Sequence, residues 1–124
     1  MNNERNHLLD ILELINNLQK STTGIDSNLN NSCSNPILGL NNNLLANTRP
    51  IMFYLCNNEP LSINFEGNEN STTIFRIEDV NNNLVTIRLL SQEDSTITSS
   101  NEFATININC IAAIRCLQDV SLTL

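Results

Sequence analysis

From Ile51 onward the apolar residues fall at alternate positions, and this period of two constrains the fold more than any other feature of the chain. Leu61, Ile63 and Phe65 alternate with Ser62, Asn64 and Glu66; Ala104, Ile106, Ile108 and Cys110 alternate with Thr105, Asn107 and Asn109. Such spacing puts one side of an extended segment in a core and the other in water. Ile51–Cys56 is instead a continuous apolar run, as expected of a strand covered on both faces. Thr73–Glu78 and Leu84–Leu90 read as two more strands, joined by Asp79-Val80-Asn81-Asn82-Asn83. Asn tolerates the left-handed backbone that such a hairpin turn needs. Ser91–Asn101 reads as a polar loop, Ile111–Leu117 as an apolar run, and Val120, Leu122 and Leu124 as a last alternating segment. Short strands with a turn roughly every 8–12 residues predict a mainly β chain, an antiparallel β-sandwich of jelly-roll-like form.

Ahead of the strands the period is helical. Over residues 4–20, Leu8, Ile11, Leu12, Ile15 and Leu18 follow the i, i+3, i+4, i+7 pattern, widened by Leu9 and Leu14. Glu4 and Lys20 suit the two ends of the helix dipole, and Gly24 is a plausible stop. A helix of about 17 residues is marginal alone in water, so it must dock on its own domain or on a neighbour. Residues 21–50 are polar and aperiodic, the signature of a linker, arm or functional loop. The predicted organisation is a helix and extended arm over residues 1–49 and a β-sandwich core over residues 50–124. On that reading, removing residues 1–31 weakens assembly and leaves the sandwich folded.

Charge narrows the partners. The formal net charge is −7, and the six basic residues, Arg5, Lys20, Arg49, Arg76, Arg88 and Arg115, are scattered singly. Phosphate backbones and anionic membrane surfaces need clustered cations, so neither nucleic acid nor membrane is an expected partner. Twenty-four residues are Asn and only 15% are charged. The surface is therefore rich in neutral donors and acceptors and meets another copy of itself with little repulsion. No apolar run reaches the ~20 residues of a membrane span. The start, Met1-Asn2-Asn3-Glu4-Arg5, lacks the features of a secretory signal, which predicts synthesis in a cytosol.

Four segments, in order, resemble the CotY/CotZ/ExsY family of bacterial spore coat and exosporium proteins. They are Asn47-Thr48-Arg49-Pro50-Ile51-Met52-Phe53-Tyr54, Ile74-Phe75-Arg76-Ile77-Glu78-Asp79-Val80, Leu84–Leu90, and the tail Ala104–Leu117 with Cys110 and Cys116. Leu14–Thr23 and Asn35-Pro36-Ile37-Leu38-Gly39 correspond as well. The resemblance implies synthesis in the mother cell, deposition on the forespore surface, and lateral self-assembly into ordered, commonly hexagonal sheets with disulfide crosslinks. Its implied partners are further copies of the chain and other spore coat proteins. Where the family's tail carries a middle Cys, this chain has Ala112.

The candidate crosslinking residues are Cys33, Cys56, Cys110 and Cys116. If Cys110 and Cys116 share one extended strand they stand ~20 Å apart, beyond the ~7 Å that a disulfide allows between Cα atoms. They then pair with Cys56, with Cys33, or with another subunit. Cys56, Cys110 and Cys116 read first as small buried hydrophobes and second as crosslinkers; Cys33, in the loose segment, reads the other way. No C-x-x-C spacing exists and His7 is the single histidine, so neither zinc nor general-base catalysis is expected. Glu78-Asp79 and Glu93-Asp94 read as solvated turns, and Glu66, Asn68, Glu69 and Asn70 lack the spacing of a calcium loop. No catalytic, cofactor-binding or metal residue is assigned. The expected function is a non-enzymatic, self-assembling structural protein. The competing reading, a small sandwich module that binds carbohydrate or peptide, lacks the exposed Trp or Tyr platform such modules use, Tyr54 lying in the most apolar strand.

Overall fold

The computed structural model describes His7–Ser21 and residues 47–124 except Asn68. The expected arm, with Gly24 and Cys33, lies outside the described residues. One helix, α1 (His7–Ser21), precedes seven strands: β1 (Ile51–Leu55), β2 (Ile63–Asn64), β3 (Ser71–Thr72), β4 (Phe75–Asn81), β5 (Leu84–Glu93), β6 (Thr96–Asn107) and β7 (Ile111–Cys116). A 3-10 turn, Ile108–Cys110, links the last two. The mainly β, antiparallel architecture with a helix in front is the one expected from the periodicities.

Five strands form one sheet in the order β6-β5-β4-β1-β7, and β2 pairs with β3 in a separate ribbon. Strands β4, β5 and β6 are a meander closed by tight turns. Asn81 pairs with Leu84 across Asn82-Asn83, and Asn82 takes a φ of 58°, as the Asn-rich turn predicts. Glu93 pairs with Thr96 across Asp94-Ser95, with Asp94 at φ 57°. The predicted loop at Ser91–Asn101 is therefore a correction: β5 and β6 run on through it as a long hairpin. Its polar sequence hides the strand because Ile97 alone in this stretch packs against an apolar cluster, too little to show as alternation.

The sheet is curled. Its outer strands, β6 and β7, would stand roughly 19 Å apart in a flat sheet of about 4.8 Å spacing. Yet only Ile108–Cys110 connects them, and three residues of 3-10 helix advance about 6 Å. The two edges must approach each other at that end. The joint between the two halves of the sheet is slight: β1 meets β4 through the single register pair Ile51–Phe75.

One face carries the main core. Ile51 and Phe53 from β1, Phe75 and Ile77 from β4, and Val85, Ile87 and Leu89 from β5 are buried there. The Phe53 and Phe75 rings tilt against each other at 5.9 Å. Helix α1 closes this face over β4 with Leu9, Leu12 and Ile15, of which Leu12 and Ile15 are fully buried, while Leu14 is exposed. Leu61, Ile63 and Phe65, in and around the β2–β3 ribbon, pack at its margin. The other face carries a second cluster, Ile74, Leu90 and Leu122, joined by Met52, Ile97, Leu117 and Val120. The expected last alternating segment therefore buries Leu122, but its only ladder pairing among the described residues is the bridge Thr48–Val120, so it is not a strand.

Candidate functional site

An arginine inside an apolar strand must find a partner, because a buried guanidinium without one is costly. Arg76, flanked by Phe75 and Ile77, donates from Nε to Thr48 Oγ1 at 2.8 Å, from one terminal nitrogen to Glu78 Oε2 at 2.7 Å, and from the other to the Asn47 carbonyl at 3.2 Å. Glu78 Oε2 also accepts from Arg88 Nε at 2.8 Å. Arg88 in turn donates to the Ser100 carbonyl at 2.9 Å, and its guanidinium lies 4.6 Å over the Phe103 ring. The solvated turn expected at Glu78-Asp79 is thus corrected at Glu78, whose carboxylate bridges two arginines at 20% side-chain exposure. β4 continues to Asn81, so Glu78 sits within a strand rather than at its end.

The segment Asn47-Thr48-Arg49 ties the rest of the chain to this network. Asn47 clamps the C-terminal stretch through its side chain, donating to the Leu122 carbonyl at 2.9 Å and accepting from the Leu122 amide at 3.0 Å. Arg49, fully buried, pairs with Asp119 at 2.6 Å from Nε. The Arg49 amide donates to Gln19 Oε1 at 3.0 Å, while Gln19 Nε2 donates to the Ile77 carbonyl at 2.7 Å. The ladder between β4 and β5 shifts register between Ile77 and Asp79, and the Gln19 amide engages the backbone there. One buried glutamine thus fastens α1 to both β4 and the segment that leads into β1. Three of the four segments on which the sequence resemblance rests meet here, through Asn47–Arg49, Arg76 with Glu78, and Arg88. Sequence reasoning missed Gln19, Asp119 and the Thr48–Arg76 contact; the arginine amid β4's apolar residues was the available signal.

The cysteines divide. Cys33 lies outside the described residues. Cys116 is buried and disulfide-bonded rather than free. Cys56 and Cys110 are free and exposed, not the buried hydrophobes the strand pattern suggested. β1 ends at Leu55 and the chain turns, and the 3-10 turn breaks the alternation that would have carried Cys110 inward. Glu93 and Asp94 are exposed at the tip of the β5–β6 hairpin. Among the described residues no group of three or more His, Cys, Asp or Glu side chains could hold a metal ion, and no helix is long and apolar enough to cross a membrane. Tyr54 is half-buried, and an open groove beside Phe65, Thr72, Ile74 and Gln92 offers only that one ring.

The outward face of β5 and β6 is the other notable surface. Leu84, Thr86 and Arg88 stand opposite Asn107, Thr105 and Phe103. Leu84 is 49% exposed and Phe103 50%. β6 pairs with β5 alone among the described strands, so its far backbone edge is the end of the sheet.

Fold and network together define a small antiparallel β protein whose shared motif residues serve architecture. The chain belongs to the spore coat protein Z family, whose model matches residues 1–104. Membership gives it a structural role in the spore coat and a place at the spore surface. The match ends at Ala104, so Cys110 and Cys116 in the tail lie beyond it. Nothing matches among curated proteins, nor among solved structures.

Proposed function

We propose that this protein is a self-assembling subunit of the spore coat or exosporium, made in the mother-cell cytosol and laid down as ordered sheets by lateral contacts between copies. The observation that carries this reading is the character of β6. Edge strands in proteins that stay monomeric are guarded by lysines, prolines or inward-pointing charge. β6 spans twelve residues, Thr96–Asn107, and holds no Lys, Arg or Pro. Its single charge, Glu102, is turned to the β2–β3 side, where Oε1 accepts from the Glu66 amide at 2.7 Å. The bulge around Ser100–Glu102, pinned by Ser100 Oγ donating to the Leu89 carbonyl at 2.8 Å, interrupts the edge. Phe103–Thr105 is the straight stretch left for a neighbour before β6 nears β7 at Asn107, with Phe103 and Leu84 supplying apolar area beside it.

Negative-stain microscopy and sedimentation of the full chain test this. The wild type should form sheets or tubes. A Phe103→Lys/Thr105→Lys double variant should stay folded and monomeric, with a modestly lower unfolding midpoint because the Arg88–Phe103 contact is lost; Ser121→Lys, also at an exposed position, should assemble normally. Assembly of the double variant at wild-type concentration, or a wild type that stays monomeric throughout, rejects the reading.

Disulfide crosslinks between subunits are an optional reinforcement in this proposal. Cys116 is already bonded and β6 offers contacts of its own, so sheets should persist when formed in, or transferred to, a thiol reductant. Complete release of monomers by reductant alone would mean that the covalent share dominates.

A further inference from the structure

The two free, exposed thiols are not independent of each other. β1 and β7 run antiparallel with Leu55 opposite Ile111. Just past these strand ends, Cys56 begins the turn after β1 and Cys110 ends the 3-10 turn before β7, so the two flank the same seam. The Cys56 thiol already points across the gap, with Sγ 3.9 Å from the Cys110 carbonyl oxygen.

Both backbones are clamped. The Cys56 turn is closed by Asn58 N donating to the Leu55 carbonyl at 2.9 Å and by Leu55 N donating to the Glu59 carbonyl at 2.8 Å. The Cys110 turn is capped by Asn107, whose Oδ1 accepts from Asn109 N at 2.9 Å. Two thiols held this way meet at a high effective concentration and need little ordering to react. Thiol–disulfide exchange needs access as well as proximity, and both residues are exposed.

We propose that Cys56 and Cys110 form a cross-strand dithiol that closes on itself in the presence of a small-molecule disulfide. One thiolate attacks the disulfide RSSR, forming a mixed disulfide and releasing RS⁻, which takes up the proton that the attacking thiol gave up. The second thiolate then displaces the remaining RS group. The two cysteines are oxidised by two electrons, RSSR is reduced to two RSH, and the Cys56–Cys110 bond is the only new link. The consequence is a redox site at the seam between β1 and β7 that removes both exposed thiols from exchange with neighbouring molecules. It stands on the contact between Cys56 and Cys110 and the exposure of both thiols, and does not depend on the assembly reading.

The test uses full-length reduced protein at low concentration, treated with oxidised glutathione, quenched by alkylation and mapped by mass spectrometry without reduction. The expected product is a peptide pair joined through Cys56 and Cys110, exceeding glutathione adducts at these positions by at least about tenfold, with the chain still monomeric on a non-reducing gel. Cys56→Ser and Cys110→Ser should each lose the joined pair and instead carry glutathione on the cysteine that is left. Persistent glutathione on both cysteines of the wild type would overturn the proposal. So would linkage of either cysteine to Cys33, to Cys116 or to another chain as the main product.

Discussion

Replacing Arg49 by Ala should destabilise the protein by about 3–5 kcal/mol, the penalty typical of a buried charge left without its partner. Arg49 is fully buried and Asp119 has a side-chain exposure of 6%. Their contact at 2.6 Å, with a second from a terminal guanidinium nitrogen to Oδ2 at 3.3 Å, joins the entry of β1 to the stretch after β7. Removing the guanidinium takes both of these contacts from a carboxylate that is nearly out of water. Two further variants separate this cause from lost volume. Arg49→Met keeps much of the volume and should cost nearly as much as Arg49→Ala. Adding Asp119→Leu to Arg49→Met should recover most of the loss, since replacing a whole buried ion pair by apolar side chains is often neutral. Urea unfolding followed by circular dichroism reads all three. A single variant within about 1 kcal/mol of wild type would show that Asp119 is hydrated, and the argument for the pair would fail.

This pair also marks where sequence reading stops. Arg49 and Asp119 are 70 residues apart, and nothing in either local sequence names the other. Strands β1, β4 and β5 were legible because their inner residues, Phe53, Ile77 and Ile87 among them, alternate or cluster as a core-facing strand requires. The Asn-rich turn between β4 and β5 was legible from the backbone freedom of Asn, and Asn82 uses it. Helix α1 was legible from its period, but its deepest stripe, Leu9, Leu12, Ile15 and Asn16 down to Gln19, includes two polar residues that a hydrophobic count cannot rank. The first half of β6 was missed because, Ile97 apart, it is Thr, Ser and Asn. Cys110 was misplaced because alternation was carried through Asn107–Cys110, where a side-chain cap starts a 3-10 turn instead. Each miss falls where a polar side chain decides the backbone, and amino-acid periodicity carries no record of such contacts.

Deleting residues 1–21 should leave a chain with no cooperative unfolding transition, in contrast to the detachable arm that the sequence suggested. Leu12 and Ile15 are fully buried and Leu9 nearly so, in one cluster with Phe53, Phe75, Ile77, Val85 and Ile87. Truncating a single such leucine costs about 2–5 kcal/mol, and the deletion removes three buried aliphatic side chains together. It also removes Gln19, leaving the Arg49 amide and the Ile77 carbonyl without the partner each has in the buried interior, at about 1–3 kcal/mol apiece. Domains of this kind are stable by only about 5–15 kcal/mol in total, so the loss meets or exceeds the margin. Milder variants grade the effect. Leu12→Ala should cost about 2–5 kcal/mol and Gln19→Ala about 2–4 kcal/mol, whereas Leu14→Ala, on the 38%-exposed side of the helix, should cost under about 1 kcal/mol. Urea titration of each variant supplies the ranking. A truncated chain that still unfolds cooperatively within about 1 kcal/mol of wild type would mean that α1 is an arm after all, and its buried face would then have to serve a neighbouring subunit. The same experiment therefore decides between a helix that completes one subunit's core and a helix that joins two.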